Sequence, residues 1–108
     1  MKGKVYLIID WGSHPIKYKI GITKNDVDKR LKQLQTGSSS ELVLLQVYES
    51  ENYRKIEGTL HRGFKHYSTD GGKEWFELPD EIALNFLKEC EQIDNNIKML
   101  KESGNPFI

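Results

Sequence analysis

The chain holds a single cysteine, three prolines and no net formal charge over its 108 residues. One cysteine, Cys90, excludes an intrachain disulfide framework and fits a reducing compartment. No apolar run approaches the ~18 residues of a membrane helix, so no membrane partner is expected. Met1-Lys2-Gly3-Lys4 leads straight into an apolar run without a small-residue cleavage site, so no signal peptide is expected and the compartment is read as cytoplasmic. Phosphate-cradling Gly-x-x-x-x-Gly-Lys, strand-to-helix Gly-x-Gly-x-x-Gly and Gly-x-Ser-x-Gly patterns are missing. His14, His61, His66 and Cys90 lack recognised zinc-ligand spacing. Repeats, linkers and low-complexity tracts are also missing, which leaves one domain, residues 1–108, with a thin core.

The zero net charge hides an asymmetry. Residues 1–35 hold eight Lys or Arg against three Asp, a net of +5, and residues 36–108 hold eight against thirteen acids, a net of −5. A basic first third suits a phosphate partner while the acidic remainder stays in solvent.

Two apolar runs open the chain. Val5 to Ile9 and the alternating Tyr18, Ile20 and Ile22 predict an antiparallel hairpin, joined by the loop Asp10-Trp11-Gly12-Ser13-His14-Pro15. Asn25 is the expected cap of a first helix whose buried stripe is Val27, Leu31 and Leu34. Arg30 borders that stripe and can reach over the sheet, while Lys29 and Lys32 point outward. Leu42 to Tyr48 predicts a third, largely buried strand. Ser50 is the expected cap of a second helix reaching Tyr67, with the stripe Tyr53, Ile56, Leu60, Phe64 and Tyr67. Glu57 lies at the edge of this stripe with His61 one turn on, either as a surface pair or as a functional carboxylate and its neighbour. Gly58 and Gly63 each cost about 1 kcal/mol in a helix interior, which points to a packing or access reason.

Ser68 to Lys73 is expected as a loop with a Gly71-Gly72 turn, and Glu74 to Leu78 as an extended aromatic segment over the core. Pro79 starts a third helix, with Ile82, Phe86, Cys90, Ile93, Ile97 and Leu100 in its stripe; Gly104, Asn105 and Pro106 stop it. On that stripe Cys90 is a buried small hydrophobe, not a nucleophile. The expected fold is thus α/β of the α+β type, a three-stranded antiparallel sheet flanked by three helices. The motif-bearing core is about residues 4–78 and the C-terminal helix about 79–101.

The chemistry that survives is a tyrosine, a lysine, an arginine and a glutamate on four consecutive elements: Tyr6, Lys19, Arg30 and Glu57. This set resembles the GIY-YIG nuclease superfamily, in particular its small phage-type branch, across about residues 4–78. Lys4-Val5-Tyr6 stands where that family has Gly-Ile-Tyr, and Lys19-Ile20-Gly21 where it has Tyr-Ile-Gly. Arg30 and Glu57 fall at its helix arginine and metal-binding glutamate, and Glu74-Trp75-Phe76 looks like the closing motif of the branch. Lys4 and Lys19 depart from the family pattern.

The resemblance implies a metal-dependent DNA endonuclease, a phosphodiester hydrolase using Mg2+ or Mn2+, in a bacterial or phage-infected host cell. Glu57 would ligate the metal, Arg30 would hold a phosphate oxygen, and Tyr6 would activate water with Lys19 favouring its phenolate. His61 would orient water or contact phosphate, and Lys17, Lys24, Lys29 and Lys32 would bind DNA. The alternative is a non-catalytic DNA-binding or protein-assembly module. A domain this small has little surface for selecting a sequence, so a homodimer or protein partner through the C-terminal helix is expected.

Overall fold

The computed structural model describes residues 1–69 and 72–104. The centre of the fold is β1 (Gly3–Asp10), which pairs antiparallel with β2 (Lys17–Thr23) on one side and β3 (Leu42–Ser50) on the other. Its unbroken apolar run is explained by burial on both faces. Val5, Leu7 and Ile9 enter one core with Tyr18 and Ile20, while Tyr6 and Ile8 enter a second with Val27 and Leu42. Strand alternation thus divides one sequence run between two layers.

Among the described residues the sheet has five strands, in the order β3-β1-β2-β5-β4, and not the expected three. β4 (Ser68–Thr69) and β5 (Gly72–Phe76) are the additions. They were hidden because β4 has two residues and β5 pairs with β2 at only Tyr18↔Phe76 and Lys19↔Trp75, too short for an alternation signal. The expected loop over residues 68–73 is therefore partly strand; of its Gly71-Gly72 turn, Gly72 begins β5 and Gly71 lies outside the described residues. β3 is an edge strand, so Leu45 and Val47 remain exposed and the expectation of a largely buried strand does not hold.

Among the described residues four helices, not three, flank the sheet. α1 (Val27–Thr36) covers the Tyr6 face. Its cap is Asp26, whose carboxylate accepts from the Asp28 N–H at 2.9 Å; Asn25 sits one residue earlier, in the turn. α2 (Tyr53–Gly63) packs on the other face through Tyr53, Ile56 and Leu60. Ser50 does not cap it but ends β3, and a short 3-10 turn, Lys65–Tyr67, follows Gly63. An added Cβ on Gly63 meets nothing, so this glycine ends the helix without a packing role.

The expected third helix is two: α3 (Asp80–Leu84) and α4 (Phe86–Glu102). Asn85 separates them, its side-chain amide donating to the Glu81 carbonyl at 3.0 Å and competing with the helix ladder. The expected stop at Asn105-Pro106 lies outside the described residues. Cys90 is fully buried, and burial pushes its thiol up to about 12, which leaves it unreactive. Among the described residues no helix is long and apolar enough to cross a membrane.

Candidate functional site

Tyr6 lies opposite Gly21 in the β1–β2 ladder. A Cβ built on Gly21 would stand 2.5 Å from the Tyr6 hydroxyl oxygen, so the phenol lies across the backbone where any side chain would block it. This is the physical reason for a glycine at that strand position. Arg30, from the border of the α1 stripe, reaches the same hydroxyl: its Nε–H donates to Tyr6 Oη over a long 3.4 Å. That hydrogen bond and the phenolic charge raise the guanidinium pKa further, burial opposes them, and Glu74 adds to the rise. Tyr6 is only 1 % exposed, and Arg30 is among the groups covering it.

Lys19 pairs with Ile8 across the ladder, two residues along from Gly21, and so leaves the same face as Tyr6. Tyr18 leaves the other face and is buried in the core there, beside Asp80 and Ala83. The Lys19 ammonium does not serve Tyr6, however. It donates to Glu74 Oε2 at 2.8 Å and lies 5.5 Å from the Trp75 ring centre, with the residue 6 % exposed. The positive charge touching the phenol is that of Arg30.

Glu57 comes from α2, on the opposite layer, and comes near Glu74 and Lys19. Beyond Lys19↔Trp75, the next β2 carbonyl, that of Ile20, accepts from His61 Nε2–H at 2.9 Å. The His61 ring also packs against Phe76, with centroids 5.3 Å apart. His61 therefore pins α2 to β2 and positions Glu57 one turn earlier. Its Nε2 is 4.0 Å from Glu57 Oε2, too far for a hydrogen bond.

Among the described residues Glu57 Oε2 is buried without a hydrogen-bond partner. Burial pushes the Glu57 carboxyl above the usual carboxylate range; His61 and Lys19 draw it down, and the neighbouring Glu74 carboxyl pushes it up. Two adjacent carboxyls, one with an unpartnered buried oxygen, favour a proton or a cation between them. That donor chemistry fits a hard divalent ion held by one or two carboxylates, with water and a phosphate completing its shell. Among the described residues no group of three or more His, Cys, Asp or Glu can hold a metal by itself.

Glu74 is the residue that sequence reasoning left out of the site. It binds Lys19, adjoins Glu57 and acts electrostatically on Arg30, so it joins both halves of the groove. The signal for it was the Glu74-Trp75-Phe76 segment, expected as extended and found as part of β5, whose pairing with β2 puts Trp75 opposite Lys19. Of the expected DNA-contacting lysines, Lys24, Lys29 and Lys32 are exposed and Lys17 is half-buried. Only Lys29 lines the cleft beside Arg30, a space of about 350 Å³ between the end of β2 and one side of α1.

Comparison with known proteins corrects the family expected from the motifs. No finding points to the GIY-YIG nucleases. The family described as the T5orf172 domain matches residues 3–97 instead. Three-residue motifs that already differ at Lys4 and Lys19 are too short to separate one family from another sharing a strand, loop, strand, helix order. A protein of Invertebrate iridescent virus 6, named as the KilA-N domain-containing protein 315L, is 32 % identical over 76 residues, which is 67 % of this chain and 32 % of that protein. The chain thus spans about a third of the length of this curated relative. No solved structure matches it. With nearly its whole length matched, the chain belongs to the T5orf172 domain family.

Proposed function

We propose that this chain is a DNA-binding module, and that its Tyr6–Arg30–Glu57 groove gives it metal-dependent phosphodiester cleavage. The observation that carries the reading is a phenol–guanidinium contact on one side of Glu74 and, on its other side, a buried carboxylate oxygen without a partner among the described residues. Structural ion pairs satisfy their partners; this set leaves one oxygen open. The basic first third of the chain supplies the phosphate affinity that DNA binding requires.

The roles follow from the geometry. Arg30 holds a non-bridging phosphate oxygen as charge builds on phosphorus, and in turning to it uncovers the Tyr6 hydroxyl. Tyr6, as phenolate, takes a proton from water while the water oxygen bonds to phosphorus and the bridging P–O bond breaks. The Arg30 guanidinium, whose Nε lies 3.4 Å from the Tyr6 oxygen, is the positive charge beside it. Glu57, with Glu74 beside it, is the pair that would hold the divalent ion. When bound, that ion supplies positive charge to the phosphate and the departing oxygen.

The test is supercoiled plasmid incubated with purified protein and magnesium or manganese. Nicked or linear product is the expected result. Retarded DNA that is never cut with either metal would leave a binding module without catalysis, a reading favoured by the near-complete burial of Tyr6. Neither binding nor cutting would remove both readings.

Gly21→Ala gives a sharper check of the phenol's placement. The new methyl must displace the Tyr6 hydroxyl, because the space is already filled. Misplacement on the scale of an ångström costs about a hundred-fold in rate, and crowding a packed site costs about 1–3 kcal/mol. Cleavage should fall by that factor while thermal unfolding stays cooperative. An unchanged rate would show that Tyr6 is not positioned for chemistry.

A further inference from the structure

We infer that the cleft beside Arg30 seats the nucleotide flanking the phosphate that Arg30 holds, and that Asn25 and Gln33 read its base. This rests on the DNA-binding reading above. Asp26, Lys29, Arg30 and Gln33 follow one another at i, i+3, i+4 and i+7, so they form one polar stripe beside the buried Val27–Leu31–Leu34 face of α1. The end of β2 closes the opposite wall with Ile22, and Asn25 lies between the two elements. The space of about 350 Å³ is large enough for a base with its sugar and too small for a duplex.

Its chemistry is that of nucleotide recognition. Half-buried Ile22 offers an apolar surface to a base, and two carboxamides present paired donors and acceptors. Lys29 supplies a cation beyond Arg30, extending the positive track one step along a strand. The Asp26 carboxylate is the discordant group, and it is engaged in capping the Asp28 N–H at 2.9 Å. The corner is held in shape by Lys4, whose ammonium donates to the Asn25 carbonyl at 3.2 Å. A phosphate-only surface would not need the two amides; a base-reading pocket does.

The experiment separates phosphate holding from base reading, and needs no cleavage. Binding of single-stranded DNA is measured by fluorescence anisotropy in EDTA across a salt series, and base preference by selection from strands with randomised positions. Wild type is expected to bind and to favour particular bases. Lys29→Ala should weaken all strands alike and reduce the salt slope by about 1. Asn25→Ala with Gln33→Ala should keep the slope but flatten the preference by about five-fold or more. Lys88→Ala, an exposed change on α4 behind the sheet, is the control and should leave both unchanged.

Wild-type binding without base preference would overturn the inference. So would a preference that survives loss of both amides, or a slope change for Lys88→Ala equal to that for Lys29→Ala. Absence of any wild-type binding would instead overturn the DNA-binding reading itself, and the cleft assignment with it.

Discussion

Glu57→Gln is expected to abolish magnesium-dependent nicking and, without divalent ions, to make the protein more stable. The substitution keeps shape and burial but removes the charge. A metal held in place supplies several kcal/mol of transition-state stabilisation, so the rate should fall on the order of a thousand-fold. Tyr6→Phe and Arg30→Ala should each lower it by about a hundred-fold or more. The gain in stability has a separate cause. Glu57 carries an unpartnered buried oxygen beside a second carboxyl, and burial raises its pKa in the folded state. Relief of such a group is worth about 1 kcal/mol, or roughly 4–8 °C in melting temperature for a domain of this size.

The pH dependence has a definite sign. A carboxyl with a raised folded pKa binds its proton more tightly when folded, so stability falls as pH rises through and above the ordinary carboxylate range. Glu57→Gln escapes this loss. Its advantage over wild type should be absent near pH 4 and open fully toward pH 7. Magnesium should then stabilise wild type by linkage and leave Glu57→Gln unmoved. Differential scanning calorimetry at several pH values, with and without magnesium, reads all of this. A variant that still cuts DNA would remove Glu57 from the metal site; one that gains no stability would mean its burial is not strained.

How much of this was legible depends on the range of each interaction. Val5–Ile9, the Tyr18–Ile20–Ile22 alternation and the Val27–Leu31–Leu34 stripe are local patterns, and all three became the predicted elements. The same patterns put Tyr6 and Lys19 on one face and Arg30 at the border of α1, which the ladder and the Tyr6–Arg30 contact bear out. The partner of Lys19, Glu74, lies 55 residues away on a segment that reads as extended but whose pairing with β2 no local pattern announces. His61 looked like a companion of Glu57 at i+4, yet its hydrogen bond goes to Ile20, across the layers. Spacing within a helix shows which side chains share a side of it, but not what the next element brings to that side.

Asp94 is the residue that pattern reading passed over entirely, and its loss should be the most damaging to stability. It sits on α4 at i+4 from Cys90, inside the apolar stripe, and is 1 % exposed. A carboxylate is almost never so buried unless paired. Its Oδ1 accepts from Ser50 Oγ at 2.9 Å and from Asn52 Nδ2 at 2.9 Å, its Oδ2 from Tyr48 Oη at 2.8 Å, and Lys98 Nζ lies 3.5 Å away. One side chain therefore ties the end of β3 and the start of α2 to α4. Burial alone would raise the Asp94 pKa, but the donors Asn52, Tyr48 and Ser50, with the Lys98 charge, outweigh it and hold the carboxyl below its ordinary value. Asp94→Ala leaves three donors without their acceptor, two of them on the buried residues Ser50 and Asn52, at a cost of about 3–5 kcal/mol. Against a total of about 5–15 kcal/mol, that lowers the melting temperature by more than about 10 °C. A depressed folded pKa stabilises above the unfolded value, and the contribution is lost as pH falls through the folded one. The gap between wild type and Asp94→Ala in urea denaturation should be constant near neutrality and shrink only below about pH 4. A cost under about 1 kcal/mol would reduce the network to a surface-like ion pair, and the joint between α4, β3 and α2 would have to be ascribed to the apolar contacts of Tyr53, Phe86, Cys90 and Ile97 alone.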